Sequence, residues 1–452
     1  MVSPRLAEEQ LAPVKLAFHP EEILRKANAL FRKEELPDLW DSVAAKIDEL
    51  RRYDVLAMDT VVAVLMWGRS GSLLLCSYLD GHDDVIMMPE LCSEGLYDFF
   101  ARYPSFSLRD KLLAFPVFEQ NAPRFFEGEF AISPAQYYAA AHAILALQDH
   151  WPPEFLRSRR AFFLFVHVAY TLALGRRPAS SHPVIVYTQH VWDDIAARCL
   201  VEDFPQSKFI HTIRDPISSC DAAFHFHLKY VEKHILLPHT ALECLANKDR
   251  THPGMESRTR TIRFEDLHSD SAGTMRDLSD WLGLPYQPTL LQSTFNGIPY
   301  VVRRDGVAWS GPRMEQVQRR SLALSHKDRA LLFALFYENF VDWDYPCPKI
   351  FQHFTVRLMT VLALFIFPMK MEIVSARAVF RLSILPALRR GNIWLAIKPL
   401  RTIGFCRLKI IGLLLPAFFQ RCARRPALLQ VLPRTQPAKR PDVGADRLQE
   451  SI

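Results

Sequence analysis

The sequence predicts an α/β fold in which a parallel sheet is flanked by helices and followed by a helical C-terminal extension. Short apolar segments rich in β-branched residues are each followed by a helical pattern, which is typical of buried parallel strands alternating with helices. From about Phe351 the composition changes to apolar stretches flanked by basic residues. The predicted strands are Val61–Met66, Val184–Tyr187, Phe209–Ile213 and Thr259–Phe264.

The size and charge of the chain limit the classes of partner. It has 452 residues, of which 49% are hydrophobic, enough for a large domain with a substantial core. A net charge of +6 suits an anionic ligand or an anionic membrane surface. The sequence contains no zinc-finger spacing, no RNP-like aromatic motif and no long Lys/Arg run. We therefore expect no nucleic-acid partner.

The cysteines and the N-terminal segment predict the cellular compartment. None of the eight cysteines forms a C-x-x-C pair or lies near a histidine at zinc spacing, so we expect reduced thiols and no bound metal. The segment MVSPRLAEEQ lacks the apolar core of a signal peptide. These observations predict a cytoplasmic protein.

Four regions follow from composition and helix signals. Residues 1–57 are predicted to form a helical cap, because Pro20 and Pro37 with acids behind them mark helix starts. Residues 58–350 would form the sheet domain, with a mostly helical insertion near 95–180. Residues 351–431 form the basic, apolar extension, and 432–452 are predicted to be a disordered tail.

Two apolar stretches characterise the extension. Leu358–Phe367 and Ile410–Phe419 are each shorter than the roughly 20 apolar residues that span a bilayer. Two interpretations remain open at this point. The region could lie as a basic amphipathic segment on the membrane surface, or it could be a helical extension packed on the sheet domain.

The loop over residues 67–74 carries the clearest functional pattern. It joins the first predicted strand to a predicted helix, so its backbone N–H groups and the helix N-terminus would face an anion. Its glycines permit close approach of a ligand, its serines supply hydroxyl donors, and its arginine supplies a fixed charge. No lysine follows the second glycine, so this is not a Walker A loop. The residues assigned to phosphate binding are Arg69, Ser70, Gly71, Ser72 and Leu73.

The segment VLMWGRSGSLLLCSYLDGHDDV resembles the 5′-phosphosulfate-binding loop of sulfotransferases that use 3′-phosphoadenosine 5′-phosphosulfate (PAPS). It is most similar to the branch that includes tyrosylprotein sulfotransferases and many bacterial enzymes, which reads R-S-G-T-T-L-L and then L-D-x-H-P-D-V. Here Ser72 and Leu73 replace the two threonines, and Asp83 replaces the proline. The resemblance implies a P-loop-like sulfotransferase fold, in which Leu73 offers only its backbone N–H.

A second segment is similar to the family's 3′-phosphate-binding region. The predicted strand that begins at Lys208 ends in R-D-P, and the resemblance gives Arg214 the role of binding the 3′-phosphate. The serine that usually follows eight residues later is Ala222 here, so Ser218, one helical turn earlier, is the local substitute. The segment Arg263–Leu267 resembles the family's R-[YF]-E-D-L motif and is interpreted as mostly structural. Together the resemblance covers roughly residues 58–345.

The resemblance also implies the chemical roles. Arg69 would stabilise charge on the leaving phosphate oxygen, since an arginine stays protonated. Glu90 falls at the position of the family's catalytic base and would take the proton of the acceptor hydroxyl, with Glu94 as the fallback. His82 could also act as a base, although we interpret it as a turn residue that orders the loop.

The predicted function is transfer of a sulfuryl group from PAPS to a hydroxyl acceptor: a glycan, a lipid, a small alcohol or a protein tyrosine. The expected partners are PAPS, its product PAP, the acceptor and, peripherally, the inner face of the membrane. One alternative is a glycosyltransferase, because Asp342-Trp343-Asp344 formally matches a D-x-D metal motif. Another is a catalytically inactive membrane scaffold with the sulfotransferase fold. Ala222, at the position of the usual serine, and the basic apolar tail favour this alternative.

Overall fold

A computed structural model gives the fold of most of the chain. The structure describes residues 19–32, 39–66, 70–89, 92–93, 95–118, 121–189, 194–228, 242, 255–304, 307–313, 315, 324–423 and 431–432.

Within these residues, five strands form a parallel sheet of order β2-β3-β1-β4-β5. The registers pair Val85 with Val184 and Ile213 with Arg263. All five side chains of β1 are buried, as expected for an inner strand of a parallel sheet. The strands are β1 (Val61–Leu65), β2 (Val85–Met87), β3 (Val184–Gln189), β4 (Lys208–Ile213) and β5 (Thr259–Arg263).

The predicted α/β class is confirmed, and the four predicted strands are present with shifts of one or two residues at their ends. Strand β2 was not predicted from the sequence, because it has only three residues and follows a turn rich in acids. Four short strands outside the main sheet form two antiparallel pairs. They are β6 (Thr294–Phe295), β7 (Ile298–Pro299), β8 (Val301–Arg304) and β9 (Val307–Ser310).

The described chain separates into two compact units. One comprises Met1–Ala63, Cys76–Lys208 and Gln287–Ser310, and the other comprises Val64–Leu75, Phe209–Tyr286 and Gly311–Ile452. The four regions predicted from the sequence, with boundaries after residues 57, 350 and 431, remain predictions.

The first unit contains the helical insertion predicted near 95–180. Its longest helix is buried from Ala161 to Leu172. The Ser158 side chain accepts a hydrogen bond from Ala161 N at the start of this helix, and Gly175 ends it with a φ of 69°. The helices of this unit are α1 (Pro20–Arg32), α2 (Leu39–Leu50), α3 (Ser72–Leu79, shared with the second unit), α4 (Leu96–Arg102), α5 (Leu108–Ala114), α6 (Asn121–Phe126), α7 (Pro134–Ala146), α8 (Pro153–Leu156), α9 (Arg159–Leu174) and α10 (Asp194–Asp203).

A buried carboxylate ties the end of α3 to the rest of the first unit. The Asp80 side chain is fully buried and accepts hydrogen bonds from Arg176 Nη1 at 3.0 Å and Nη2 at 2.8 Å. Thr294 Oγ1 and Gly297 N also donate to it, at 2.9 and 3.2 Å. Burying the Asp80 carboxylate costs free energy, and its pairing with Arg176 offsets that cost.

We expect Arg176→Ala to lower the free energy of unfolding by about 2 kcal/mol, because it leaves the Asp80 carboxylate buried without its countercharge. Urea denaturation would measure the change. Arg177→Ala is the matched control: that neighbouring arginine is 61% exposed and pairs with Glu49 at 3.3 Å, so its loss should cost less than about 1 kcal/mol. Equal costs for the two variants would contradict the assignment.

The second unit contains the ends of the central strands and the C-terminal helices. An apolar cluster packs α14 and α15 against α16 and α19, with Phe333, Phe340, Val361 and Ile410 among its buried members. The helices are α11 (Pro216–Leu228), α12 (Phe264–Ser269), α13 (Ser271–Leu282), α14 (His326–Leu335), α15 (Tyr337–Asp342), α16 (Phe354–Leu362), α17 (Lys370–Val379), α18 (Leu385–Arg389) and α19 (Ile393–Ala423).

The C-terminal extension is helical, as predicted. Two stretches in it, Phe354–Arg389 and Ile403–Ala423, are long and apolar enough to cross a membrane by length and composition alone. The apolar stretches Leu358–Phe367 and Ile410–Phe419 were predicted to be too short for this. The difference arises because the helices continue beyond these apolar stretches, through small and isolated polar residues.

Candidate functional site

The candidate site lies at the carboxyl ends of three neighbouring strands. β1, β4 and β5 are adjacent in the sheet, and in parallel sheets ligands bind beyond the carboxyl ends of the strands. The chain leaves β1 toward the loop of residues 67–74, β4 is followed by Arg214, and β5 is followed by Phe264. Since Ile213 pairs with Arg263, Arg214 and Phe264 occupy equivalent positions just past two paired strands.

Three buried hydroxyls join the loop to β4. Thr212 Oγ1 lies 2.6 Å from Ser72 Oγ and 3.1 Å from Ser70 Oγ, and all three side chains are buried. Ser72 is the first residue of α3, so the N–H groups of the first turn lie at the positive end of the helix dipole. The arrangement places hydroxyls and a helix N-terminus together, which suits a phosphate.

The aromatic ring of Phe264 contacts both the loop and Arg214. The guanidinium carbon of Arg214 lies 4.3 Å from the centre of the ring, at cation–π distance. At Gly71, which has a φ of 89°, a β-carbon would lie only 2.6 Å from Cδ2 of the same ring. Gly71 is therefore required twice, for its left-handed backbone and for the close approach of Phe264.

We expect Gly71→Ala to lower the free energy of unfolding by about 3 kcal/mol, because it adds the strain of positive φ to a collision with the Phe264 ring. Gly128→Ala is the matched control. It has a φ of 98°, but nothing lies within 4 Å of its added β-carbon. Its cost should be about 1 kcal/mol in the same urea titration, and an equal cost at both positions would show that the ring does not constrain the loop.

A neutral histidine lies beside Arg214. Burial and the charge of Arg214 lower the pKa of His268 to about 4. Its Nδ1 accepts a hydrogen bond from Arg313 N at 2.8 Å, so the proton of the neutral ring is on Nε2. His268 therefore adds no positive charge to the site near neutral pH, and Arg214 is the cation that β4 contributes there.

Asp215 starts the helix that follows Arg214. Its carboxylate accepts a hydrogen bond from Ser218 N at 2.7 Å, which is an N-cap with Pro216 at the first helical position. Burial raises the pKa of Asp215, and hydrogen bonds from the backbone and hydroxyl of Ser218 oppose this shift. Ser218, predicted as the substitute for the 3′-phosphate serine, thus has its N–H and hydroxyl directed to the helix cap.

Glu265 connects the turns after β4 and β5. Its Oε1 accepts from Asp215 N at 3.2 Å, and its Oε2 accepts from the Tyr345 hydroxyl at 2.6 Å. Burial raises the pKa of Glu265. Next to it, Arg263 forms two hydrogen bonds of 2.9 Å to the Asp266 carboxylate. These bonds fix Phe264 between two anchored neighbours.

The structure brings together several of the residues predicted from the sequence. Ser70 and Ser72 meet through Thr212, while Gly71 and Arg214 meet through Phe264. Leu73 lies partly exposed in the first turn of α3. Three predicted residues lie outside the described part of the chain: Arg69, Glu90 and the fallback Glu94.

The structure also bears on His82 and on the D-x-D match. His82 is buried and its Nδ1 accepts from Asp84 N at 3.0 Å, which fits the interpretation as a turn residue. In Asp342-Trp343-Asp344, the tryptophan is fully buried and Asp344 lies 3.7 Å from Arg263. Among the residues that the structure describes, no group of three or more His, Cys, Asp or Glu could hold a metal ion.

Thr212 and Phe264 are the site residues that sequence reasoning missed. Thr212 lies near the end of β4, two residues before Arg214. Because side chains alternate along a strand, this spacing could have predicted that Thr212 is on the same side of the sheet as Arg214. Phe264 had no such signal, because its role depends on the pairing of β4 with β5.

Comparison with known proteins places this site in a family. The model of the sulfotransferase family matches residues 62–288, half of the chain, and this range includes the loop, β4 and β5. No curated protein sequence matches the chain.

Three solved structures are similar to the chain, with low TM-scores that add no independent argument. The sulfotransferase domain from the curacin biosynthetic pathway is 17% identical, with 66% of this chain and 97% of that chain covered and a TM-score of 0.32. The sulfotransferase domain from the Synechococcus PCC 7002 olefin synthase is 16% identical, with 58% and 83% covered and a TM-score of 0.30. The sulfotransferase STF9 from Mycobacterium avium is 12% identical, with 76% and 96% covered and a TM-score of 0.34.

Proposed function

The chain belongs to the sulfotransferase family, and we propose that it transfers a sulfuryl group from PAPS to a hydroxyl-bearing acceptor. The observation that carries the proposal is the pair of anion-binding features on neighbouring strands. One is the hydroxyl cluster at the start of α3, and the other is Arg214 at the end of β4. PAPS has two separate phosphate groups, at its 5′ and 3′ positions, so its binding requires two anion-binding features of this kind.

The hydroxyl cluster supports the 5′ end of this assignment. A hydroxyl has one proton to donate and two lone pairs to accept with. If Ser72 donates to a phosphate oxygen, Thr212 donates to Ser72 and is free to accept from Ser70. In this chain, Ser70 donates to Thr212, Thr212 donates to Ser72, and Ser72 donates to the phosphate, so each hydroxyl has a partner. A methyl group in place of the Thr212 hydroxyl could neither accept nor donate these hydrogen bonds.

Arg214 supports the 3′ end. Its guanidinium is buried, and an arginine retains its charge when buried. Stacking on Phe264 fixes the plane of the guanidinium, and an arginine held in this way can form paired hydrogen bonds with phosphate oxygens. Ser218 contributes there only if it exchanges its hydrogen bond with Asp215 for one with the ligand.

The transfer step uses the residues assigned by resemblance. The acceptor oxygen attacks the sulfur, an O–S bond forms, and the bond from sulfur to the 5′-phosphate oxygen breaks to release PAP. Glu90 takes the acceptor proton and Arg69 stabilises the negative charge on the departing phosphate. The step is balanced without a metal ion. The relation to the tyrosylprotein sulfotransferase branch remains a prediction, as does the choice among glycan, lipid, alcohol and tyrosine acceptors.

We also propose that the enzyme works in the cytoplasm, at the inner face of the membrane. The exposed apolar and basic helices of the extension support the contact with a membrane.

Calorimetric titration of PAP tests the nucleotide site. We expect the wild-type protein to bind PAP, Arg214→Ala to bind on the order of a hundredfold more weakly, and Thr212→Val about tenfold more weakly. Thr212→Val keeps the shape of the side chain but leaves Ser70 and Ser72 without their shared partner. Arg69→Ala tests the role that the resemblance gives to the loop arginine.

Thr261→Val is the matched control for Thr212→Val. Thr261 is buried on the adjacent strand β5, and its hydroxyl has no hydrogen-bond partner among the described residues. Its affinity for PAP should equal that of the wild type. Absence of PAP binding by the folded wild-type protein would overturn the proposal and favour the inactive scaffold, whereas Mn²⁺-dependent binding of a nucleotide sugar would favour the glycosyltransferase.

A further inference from the structure

The C-terminal helices expose an unusual amount of apolar surface. Of the 24 exposed large apolar side chains in the described residues, 17 lie between Phe354 and Phe419. The most exposed of these 17 are Trp394 at 82%, Ile366 at 73% and Met359 at 67%. Concentration of exposed apolar side chains in one region marks a surface that is covered by a partner.

The same region is strongly basic. Residues 354–423 contain eleven Lys or Arg residues and a single carboxylate, Glu372, although the whole chain has a net charge of only +6. Glu372 is itself paired with Arg407 at 3.0 Å. Seven of the basic side chains are exposed: Lys370, Arg377, Arg381, Arg389, Arg390, Arg401 and Lys409. The partner of this surface is therefore expected to be anionic.

A well-formed turn presents Trp394, the most exposed of these apolar residues, with two exposed apolar neighbours. Gly391, with a φ of 71°, ends α18, and Asn392 Oδ1 accepts from Leu395 N to start α19. Ile393, Trp394 and Leu395 follow at once, with exposed fractions of 64, 82 and 57%. Arg389 and Arg390 precede them in the sequence.

The packing of α19 limits how this region meets a membrane. The helix has 31 residues, about 46 Å at 1.5 Å per residue, long enough to span a bilayer. However, Ile410, Leu414 and Phe418 are buried against the cluster formed with α14 to α16. Phe405, Leu408 and Phe419 remain exposed on the other side, close in sequence to the exposed Arg401 and Lys409. A helix with one side in the protein core and an apolar, basic side outward lies along a membrane surface.

A groove between the helices offers further apolar surface. It has a volume of about 590 Å³ and lies between α17, the following π-helical turn and α19. Its lining includes Ile373, Phe380, Leu400 and Ile403, together with the exposed Arg377 and Arg381. Apolar walls with arginines are suited to an acyl chain that carries an anionic headgroup.

We propose that the C-terminal helices dock on an anionic phospholipid surface, with Ile393, Trp394 and Leu395 inserted among the lipids and the surrounding basic residues paired with headgroups. Tryptophan is enriched at membrane interfaces, where its ring is apolar and its N–H is polar. A second copy of the chain does not fit this surface, since two copies face to face would bring basic residues together. The proposal rests on the proposed peripheral location and specifies its surface and lipid class.

Vesicle sedimentation with the full-length protein tests this docking. We expect binding to vesicles of phosphatidylcholine with phosphatidylglycerol, and binding at least about tenfold weaker to phosphatidylcholine alone. Replacing Ile393, Trp394 and Leu395 with serine should weaken binding to the anionic vesicles by about tenfold or more. Arg389→Gln with Arg390→Gln should weaken it by about tenfold at low salt and less at high salt.

Trp40→Ser is the matched control for the serine variant. Trp40 is also a helical tryptophan, 74% exposed, and lies in α2. It should leave vesicle binding unchanged. Equal vesicle binding by the triple serine variant and the wild type would overturn the proposal. It would also be overturned if light scattering showed that the wild-type protein is a dimer and the serine variant a monomer. The circular dichroism spectrum of each variant verifies folding, and because neither this check nor vesicle binding uses the nucleotide, failure of one proposal does not imply failure of the other.

Discussion

The contact of the Phe264 ring with Gly71 and Arg214 is the constraint on which the candidate site depends. One ring limits the path of the loop after β1 and also fixes the guanidinium after β4. Its own position follows from the register of β4 with β5 and from the bonds that anchor Arg263 and Glu265. The two proposed phosphate-binding features are thereby held in one geometry, and a fixed geometry reduces the entropy lost on binding.

The polar groups near Arg214 are organised around this contact. The Asp215 carboxylate caps α11, Glu265 joins the two turns, and His268 remains neutral beside Arg214 because burial and the arginine's charge lower its pKa to about 4. Because His268 is neutral, the positive charge at the end of β4 comes from Arg214. A buried arginine that retains its charge and orientation is well suited to a phosphate with two negative charges.

The sequence predicted the parts of the molecule that local patterns determine. Apolar β-branched segments predicted four of the strands, and the glycine- and serine-rich loop before Ser72 predicted the start of α3. It did not reveal β2, which is only three residues long, or the role of Phe264, which depends on strand pairing across 50 residues of sequence. Residues such as Thr212 fall between these cases, because strand alternation places it beside Arg214 but only the fold brings it to Ser70 and Ser72.

A double-mutant cycle on PAP affinity tests the central claim most directly. Phe264→Leu and Arg214→Ala would be measured singly and together by calorimetry. If the ring acts by holding the guanidinium, Phe264→Leu weakens PAP binding by about tenfold in the wild-type background and by less than about threefold when Arg214 is already alanine. Equal losses in the two backgrounds would contradict the account, since the ring would then contribute to nucleotide binding independently of Arg214.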